Sequence, residues 1–278
     1  MFLKLLDREP EMKKNRGFAD QSIGRTYRRL RMLAGGALIG MPLLIACSGF
    51  FFVHELEPSL SDYYFAVRDG GLPRTLFLMF LAFLGGVLYS YRGLDDTDNL
   101  IHNVAGIFAF GVALFPMACD VAEHPDCVHG LFPVLHLPMA GLLYLSSVAS
   151  VFYSGGSSLE AALNRLADPE SWFGRLRRIK ILSLVMMTAG IITFLIHRKL
   201  DEYIPGISWI FWIEYLGFAG FGIYWVRLMW FIRDANNAGR RKFATRAEAE
   251  EIKTFGAPSA LPEAVEKAAP VEAWSDIP

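Results

Sequence analysis

The stretch 72–117 constrains this chain most, because it consists of two long apolar segments joined by one short polar corner, 91–99. Each segment is long enough to cross the ~30 Å hydrocarbon core of a bilayer as a helix, and the corner has room only for a turn. A soluble domain averages about 45–50% apolar residues, whereas this chain is 53% hydrophobic with a mean hydropathy of +0.32. The stretch therefore predicts a transmembrane helical hairpin.

Four more apolar segments have similar lengths, so the sequence predicts an all-α polytopic integral membrane protein with six transmembrane helices. The predicted spans are 32–53, 74–91, 99–117, 132–153, 179–196 and 207–232. In the first of them, Gly36 and Gly40 have the spacing at which two helices can pack closely in a membrane.

Lysines and arginines are concentrated before the first span, between the fourth and fifth spans, and at the start of the tail. The positive-inside rule puts such segments on the cytoplasmic side, so we expect both termini to be cytoplasmic. The chain then divides into a basic cytoplasmic arm, 1–31, the six-helix bundle, 32–232, and a cytoplasmic tail, 233–278. The tail is rich in alanine, proline and glutamate, which predicts that it is largely disordered.

Glu214 is the ionisable residue that most needs an explanation, because charged groups inside a membrane span are costly. It lies seven residues into the last predicted span, roughly 10 Å below the outer surface at about 1.5 Å per residue. Two interpretations stay open. Glu214 either accepts a proton or contacts a ligand, or it is a structural carboxylate that pairs with a base such as Arg74 or Arg68.

Several polar residues are expected at the same depth as Glu214. His136 opens the fourth span, Ser61 and Asp62 follow the first span, and His54 and Asp120 border the same level. These residues predict a pocket that opens outward, with Arg74 as a partner for a phosphate or carboxylate of the ligand. A serine, a carboxylate and an imidazole are also the groups that a hydrolase needs, although a serine at a span terminus often only caps the backbone.

The outer loop 118–131 holds two cysteines and several potential metal ligands. In an oxidising compartment, Cys119 and Cys127 could close a small loop as a disulfide, which is the preferred interpretation. A metal site built from His124, Asp126 and His129 is the alternative, but the cysteine spacing matches no common zinc motif. We expect no metal site and no cofactor.

The order of several short motifs resembles the DRAM/Frag/Sfk-type family of six-span membrane proteins. The motifs are Pro58-Ser59-Leu60-Ser61-Asp62, Asn103 with the Gly106-to-Gly111 run, His136 with Ala140-Gly141, and Glu214-Tyr215. The resemblance implies a helical bundle whose outer polar pocket is built from Ser61, Asp62, His136 and Glu214. Known relatives act in autophagy control and in the lipid remodelling of GPI anchors, usually as accessory or regulatory factors. The polar set is also similar to that of ceramidase-like membrane hydrolases, but the last span here lacks their histidine pair.

The leading functional hypothesis is a non-enzymatic membrane protein that binds a lipid headgroup or a partner protein through the outward pocket. The alternatives are a membrane-embedded lipid-modifying hydrolase or transferase that uses the same residues, and a proton-coupled transporter with stations at Glu214 and His102. We expect membrane lipids as partners, with a membrane-protein partner or a homo-oligomer as a further expectation, and no nucleic acid. The compact loops and the lack of sorting signals favour a bacterial inner (plasma) membrane.

Overall fold

The computed structural model describes residues 9–54, 56–66, 71–92, 96–117, 131–153, 157–203 and 209–255 of the 278-residue chain. Within these ranges the protein is all-helical, with 90% of residues in helices and no strand. The all-α prediction is therefore confirmed for the part of the chain that the structure describes.

The helices follow one another with short connections. In chain order they are α1 (Glu9–Ser48), a π-helical turn (Gly49–Val53), a 3-10 helix (Ser61–Phe65), α2 (Leu72–Ser90), α3 (Asp96–Leu114), α4 (Leu131–Tyr153), α5 (Ser157–Leu163), α6 (Pro169–Tyr203) and α7 (Trp209–Phe255).

Four segments of the described chain are long and apolar enough to cross a membrane: Arg28–Phe52, Leu72–Ser90, Pro133–Tyr153 and Trp209–Gly239. Helices α3 and α6 coincide with the other two predicted spans but are not among these four. The first turns of α3 carry Asp96 and Asp98, which lowers the mean hydropathy of that helix.

The six long helices form a ring. Along this ring α1 packs between α7 and α2, α2 packs against α3, α3 against α4, and α4 against α6, which closes onto α7. Helices α2 and α3 are the predicted hairpin, and they approach each other most closely at two glycines. A Cβ atom on Gly106 would lie 2.6 Å from the backbone nitrogen of Tyr89 and 2.8 Å from the carbonyl oxygen of Gly85.

The first helix packs through a different glycine from the one that its sequence suggested. Gly35 faces α7, where its Cβ position would be 2.8 Å from the Val226 side chain and 3.2 Å from the Gly222 carbonyl oxygen. Gly36 and Gly40 are exposed, and a Cβ on either would meet nothing within 4 Å. The Gly36/Gly40 spacing therefore marks an outward face of α1 and not its contact with the bundle.

Two predicted boundaries fall inside continuous helices. Helix α1 runs through the 31/32 boundary, and α7 continues past Ile232 as far as Phe255. The extension of α7 is rich in alanine, arginine, lysine and glutamate, which are strong helix formers, so the charged start of the tail is helical where we expected disorder. Residues 256–278 lie outside the described residues.

Large apolar side chains cover the outside of the ring. Leu137 is 75% exposed, Leu195 74% and Leu114 71%. A soluble monomer rarely exposes a continuous apolar surface of this kind. The exposed belt and the four long apolar helices together indicate that the protein is integrated into a membrane.

Candidate functional site

The segment after the π-helical turn folds back on itself through Ser59 and Asp62. The Asp62 carboxylate accepts hydrogen bonds from the backbone N–H of Ser59 at 3.0 Å and from its hydroxyl at 2.8 Å. The Asp62 N–H donates to the Ser59 hydroxyl oxygen at 3.1 Å. This reciprocal pattern is that of a capping box. The Asp62 side chain therefore holds the local turn, and its role at the rim of a pocket stays a prediction.

Tyr63 anchors the same turn from its buried side. Its side chain is 1% exposed, and its hydroxyl oxygen accepts a hydrogen bond from the backbone N–H of Glu57 at 3.3 Å. Burial raises the pKa of the Tyr63 phenol above its usual value of 10.0, because a buried site disfavours the charged form. The phenol therefore stays neutral at physiological pH.

Glu214 joins this turn to α7. One carboxylate oxygen accepts a hydrogen bond from the backbone N–H of Leu60 at 2.5 Å, and the other accepts one from the Ser61 hydroxyl at 3.3 Å. The backbone N–H of Phe211, one turn earlier on α7, donates to the carbonyl oxygen of Pro58 at 3.1 Å. Glu214 thus holds a backbone segment that lies more than 150 residues away in sequence.

His136 completes the cluster from α4. Its Nδ1 lies 2.6 Å from the carbonyl oxygen of Phe115, at the end of α3, and its Nε2 lies 3.2 Å from the hydroxyl oxygen of Ser61. A carbonyl oxygen only accepts, so Nδ1 carries a proton and donates it to Phe115. Ser61 and His136 are both buried, whereas Glu214 is half-buried.

The position of one proton, on His136 or on Glu214, decides how Ser61, His136 and Glu214 are hydrogen-bonded. A serine hydroxyl has a single hydrogen, so Ser61 cannot donate to His136 and to Glu214 at the same time. Two proton arrangements make both the Ser61–His136 and the Ser61–Glu214 contacts hydrogen bonds. Either a cationic His136 donates to Ser61, which donates to the Glu214 carboxylate, or a protonated Glu214 donates to Ser61, which donates to neutral His136. Both arrangements leave acceptor lone pairs on the Glu214 oxygens.

The structure does not contain the ion pair between Glu214 and Arg74 that the sequence left open. The Arg74 guanidinium lies 4.7 Å from the centre of the Tyr64 ring, where it makes a cation–π contact. Among the described residues, no base forms an ion pair with Glu214. Arg68, the other candidate base, lies outside the described residues. Arg74 is half-buried beside the turn, and its role as a phosphate partner stays a prediction.

A cavity begins at Ser61 and Glu214 and runs into the centre of the ring. Its empty space, together with the solvent at its open side, amounts to about 640 Å³. Its wall is formed mainly by residues one and two turns apart on α2, α4 and α7, with single contributions from the other long helices. These residues are Leu38, Leu60, Phe77, Leu81, Leu84, Val112, Ala140, Leu143, Tyr144, Ser147, Met187, Gly217, Phe218 and Phe221.

Glu214 is the one ionisable carboxylate in this lining, and no Lys, Arg or His of the described chain lines it. At the inner end, Ser147 donates its hydroxyl to the carbonyl oxygen of Leu143 at 2.8 Å, so it adds little polarity. The Tyr144 hydroxyl likewise donates to the Met187 carbonyl oxygen. The cavity is therefore polar at one end and apolar along its length.

Ser61, His136 and Glu214, at the polar end of this cavity, were predicted from the sequence to lie at one depth, whereas the apolar wall was not predicted. The signal was present as a helical repeat: Gly217, Phe218 and Phe221 follow Glu214 at three, four and seven residues, as positions on one helix face do. The same spacing carries Ala140 and Leu143 after His136. Apolar residues at this spacing also occur on every lipid-facing surface of the protein, so the repeat alone did not identify a cavity.

A second polar cluster, formed by Arg31, Asp98, His102 and Ser150, lies deeper in the bundle. Trp225 of α7, which packs against it, lies about 16 Å from Glu214 along the helix at ~1.5 Å per residue. His102 is 1% exposed, and its Nδ1 lies 2.8 Å from the carbonyl oxygen of Asp98 and 3.3 Å from its carboxylate. The His102 Nε2 lies 3.2 Å from the Ser150 hydroxyl oxygen. His102 and Glu214 therefore belong to separate clusters.

Arg31 caps this second cluster. Its side chain is 1% exposed, although the sequence predicts that it belongs to the cytoplasmic arm. The guanidinium carbon lies 4.8 Å from the centre of the Tyr91 ring and 5.3 Å from that of Trp225. Within the described chain its Nε and Nη1 atoms have no hydrogen-bond partner. Two aromatic faces stabilise a buried cation, which explains how an arginine is tolerated here.

The remaining candidate residues of the outer loops are mostly outside the described ranges. The loop with the predicted Cys119–Cys127 disulfide and the metal alternative at His124, Asp126 and His129 lies there. The structure does describe His54, which is exposed and ends the π-helical turn with a left-handed backbone, φ 61°. Among the described residues, no group of three or more His, Cys, Asp or Glu side chains is arranged to hold a metal ion.

Comparisons with known proteins do not identify this fold or site. No protein-family model matches the chain, and searches of curated proteins and of solved structures found no significant match.

Proposed function

We propose that this chain is a six-span membrane protein that binds a membrane lipid, with the lipid headgroup at Ser61 and Glu214 and a tail in the central cavity. The observation that carries the proposal is the continuity of the polar cluster with an apolar cavity in the middle of the ring. Ligand sites are usually concave and mostly apolar, with a few polar groups that fix the ligand's orientation.

The geometry favours binding over catalysis. The Ser61–His136 contact at 3.2 Å has the form of a nucleophile beside its base, which keeps a lipid-modifying hydrolase or transferase as the second candidate. An acyl-transfer reaction also needs donors for the developing oxyanion. The nearby N–H of Leu60 is already taken by the Glu214 carboxylate, which would itself repel an oxyanion. Labelling of Ser61 by a fluorophosphonate lipid would support the enzymatic candidate.

The orientation of the protein in the membrane is proposed from the distribution of its charges. Both termini would be cytoplasmic, and the Ser61–Glu214 end of the cavity would face the opposite side of a bacterial inner membrane. A binding site without a reaction suits an accessory or regulatory role, such as the resemblance to the DRAM/Frag/Sfk-type family implies. Arg74 packs on the Tyr64 ring and is not among the residues that line the cavity, so it would meet a phosphate of a neighbouring lipid and not the head bound at Glu214.

Filling the cavity tests the proposal. Ala140 lines the cavity one turn after His136, so Ala140→Phe should occupy the space that a tail needs. In nanodiscs, added native lipid extract should raise the unfolding temperature of the wild type by about 5–10 °C, since a ligand at 100 times its Kd stabilises by about 2.7 kcal/mol. Ala140→Phe should show little of this rise.

Leu137→Phe is the matched control, because Leu137 lies one turn earlier on the same helix but is 75% exposed. This variant should keep the lipid-dependent rise in unfolding temperature. An equal rise in wild type and Ala140→Phe would show that lipids stabilise the outer surface only, and the proposal would be abandoned.

A further inference from the structure

The dimensions and chemistry of the cavity restrict what can fill it. Along α7, seven residues separate Glu214 from Phe221, and the same number separates Ala140 from Ser147 on α4 and Phe77 from Leu84 on α2. At about 1.5 Å per residue, the cavity is ~10 Å deep. Half of the hydrocarbon core of a bilayer is roughly 15 Å, so the cavity is shallower than one leaflet.

The inner end of the cavity is closed by aromatic packing. The Phe221 ring lies 5.5 Å from Trp225 and 6.5 Å from His102, centre to centre. Trp225 and His102 are both buried in the second polar cluster, which Arg31 caps. A tail that reaches Phe221 therefore meets a packed group of rings that it cannot pass.

The polar end offers hydrogen-bond acceptors for a headgroup but no free donor. Both oxygens of Glu214 keep lone pairs in either proton arrangement of the Ser61–His136–Glu214 cluster. No cationic side chain of the described residues lines the cavity. The donors of the cluster are all engaged within it, so a carboxylate or phosphate head would meet acceptors only. A hydroxyl or ammonium head can instead donate a hydrogen bond to Glu214.

We infer that the ligand is an amphiphile whose head donates hydrogen bonds to Glu214 and whose tail is about as long as the ~10 Å cavity. This inference rests on the proposed function and adds to it the class of the head and the length of the tail. Hydroxyl and ammonium heads share the donor chemistry that the site recognises.

The head group is tested by unfolding temperature in nanodiscs, with decanol, decylamine and decanoate added at equal mole fractions of lipid. Decanol and decylamine should raise the unfolding temperature of the wild type, and decanoate should not. The glutamine side chain of Glu214→Gln has a nitrogen that donates and an oxygen that accepts. In this variant, the rise in unfolding temperature caused by decanoate should increase relative to that caused by decylamine. Equal stabilisation by all three heads in the wild type would overturn the inference about the head.

The tail is tested by comparing octanol, decanol and hexadecanol. Decanol should stabilise the wild type more than hexadecanol does, because the longer tail cannot fit. Ser147 lines the inner end of the cavity, so Ser147→Phe should shift the preference towards octanol, and Ser147→Leu provides a milder version if the larger side chain prevents folding. Leu145→Phe, at a position that is 60% exposed on the same helix, should leave the preference unchanged.

The outcomes distinguish a failure of lipid binding from a failure of the inference about the tail. If no amphiphile stabilises the wild type, lipid binding itself fails. If all tails stabilise equally, or hexadecanol stabilises best, while Ala140→Phe still abolishes the response, lipid binding stands and the short tail is refuted.

Discussion

Gly106→Ala is expected to destabilise the bundle by about 2–3 kcal/mol, although alanine favours helices. The added Cβ would lie 2.6 Å from the Tyr89 backbone nitrogen and 2.8 Å from the Gly85 carbonyl oxygen. Backbone atoms cannot rotate away, so α2 and α3 must separate, and such overpacking typically costs 1–3 kcal/mol. Thermal unfolding in nanodiscs measures the loss.

Gly86→Ala is the matched control for this substitution. Gly86 is on the same helix as Gly85, but a Cβ there would meet nothing within 4 Å. Alanine is about 1 kcal/mol more favourable than glycine in a helix interior, so Gly86→Ala should be neutral or stabilising. The two variants should therefore change stability in opposite directions. A Gly106→Ala protein as stable as Gly86→Ala would mean that α2 and α3 do not cross at these glycines.

Glu214→Leu is expected to lower the unfolding temperature by about 5–10 °C. The substitution removes the acceptor of the Leu60 N–H at 2.5 Å and of the Ser61 hydroxyl. A buried donor left without a partner costs about 1–3 kcal/mol, and a protein of this size shifts by about 2–4 °C per kcal/mol. Glu214→Gln keeps a carbonyl acceptor and should retain most of the stability.

Glu160→Gln controls for the loss of a carboxylate, because Glu160 is an exposed acidic residue of α5. It should leave the unfolding temperature unchanged. If Glu214→Gln destabilised as much as Glu214→Leu, the negative charge of Glu214 would be the stabilising element. That result would require the arrangement with a cationic His136, and would contradict the view that hydrogen-bond acceptance alone explains the stabilising role of Glu214.

The helices that the sequence predicted best are those in which composition alone decides the structure. The predicted spans 74–91 and 99–117 match α2 (Leu72–Ser90) and α3 (Asp96–Leu114) within a few residues. Apolar length and a polar corner are local properties, and a membrane span needs little else. The boundary at Ile232 was less well placed, because the helix-forming residues that follow it continue α7 without any apolar signal.

The sequence predicted which residues of the candidate site lie at one depth, but it predicted only partly which of them are in contact. Ser61, His136 and Glu214 were expected at one level, and the structure brings these three together. Asp62 and Arg74 were expected to join them, but a capping box and a cation–π contact engage these side chains instead. Depth follows from position along a span, whereas the direction of a side chain depends on which helices are neighbours.

The same reason explains what was missed in the interior. The choice between Gly35 and Gly36 as the contact face of α1 rotates the helix by one residue, and only the packing of α1 against α7 decides it. The burial of Arg31 depends on Tyr91 and Trp225, which are distant in sequence. The cavity arises where six helices meet, so no single segment carries its signature.

Native mass spectrometry of the protein released from nanodiscs tests lipid binding most directly. The wild type and Leu137→Phe should each retain one amphiphile per chain at collision energies that remove loosely attached lipids. Ala140→Phe should appear as the bare protein. The absence of a retained amphiphile in the wild type, or its undiminished presence in Ala140→Phe, would contradict the assignment of the central cavity as a lipid site.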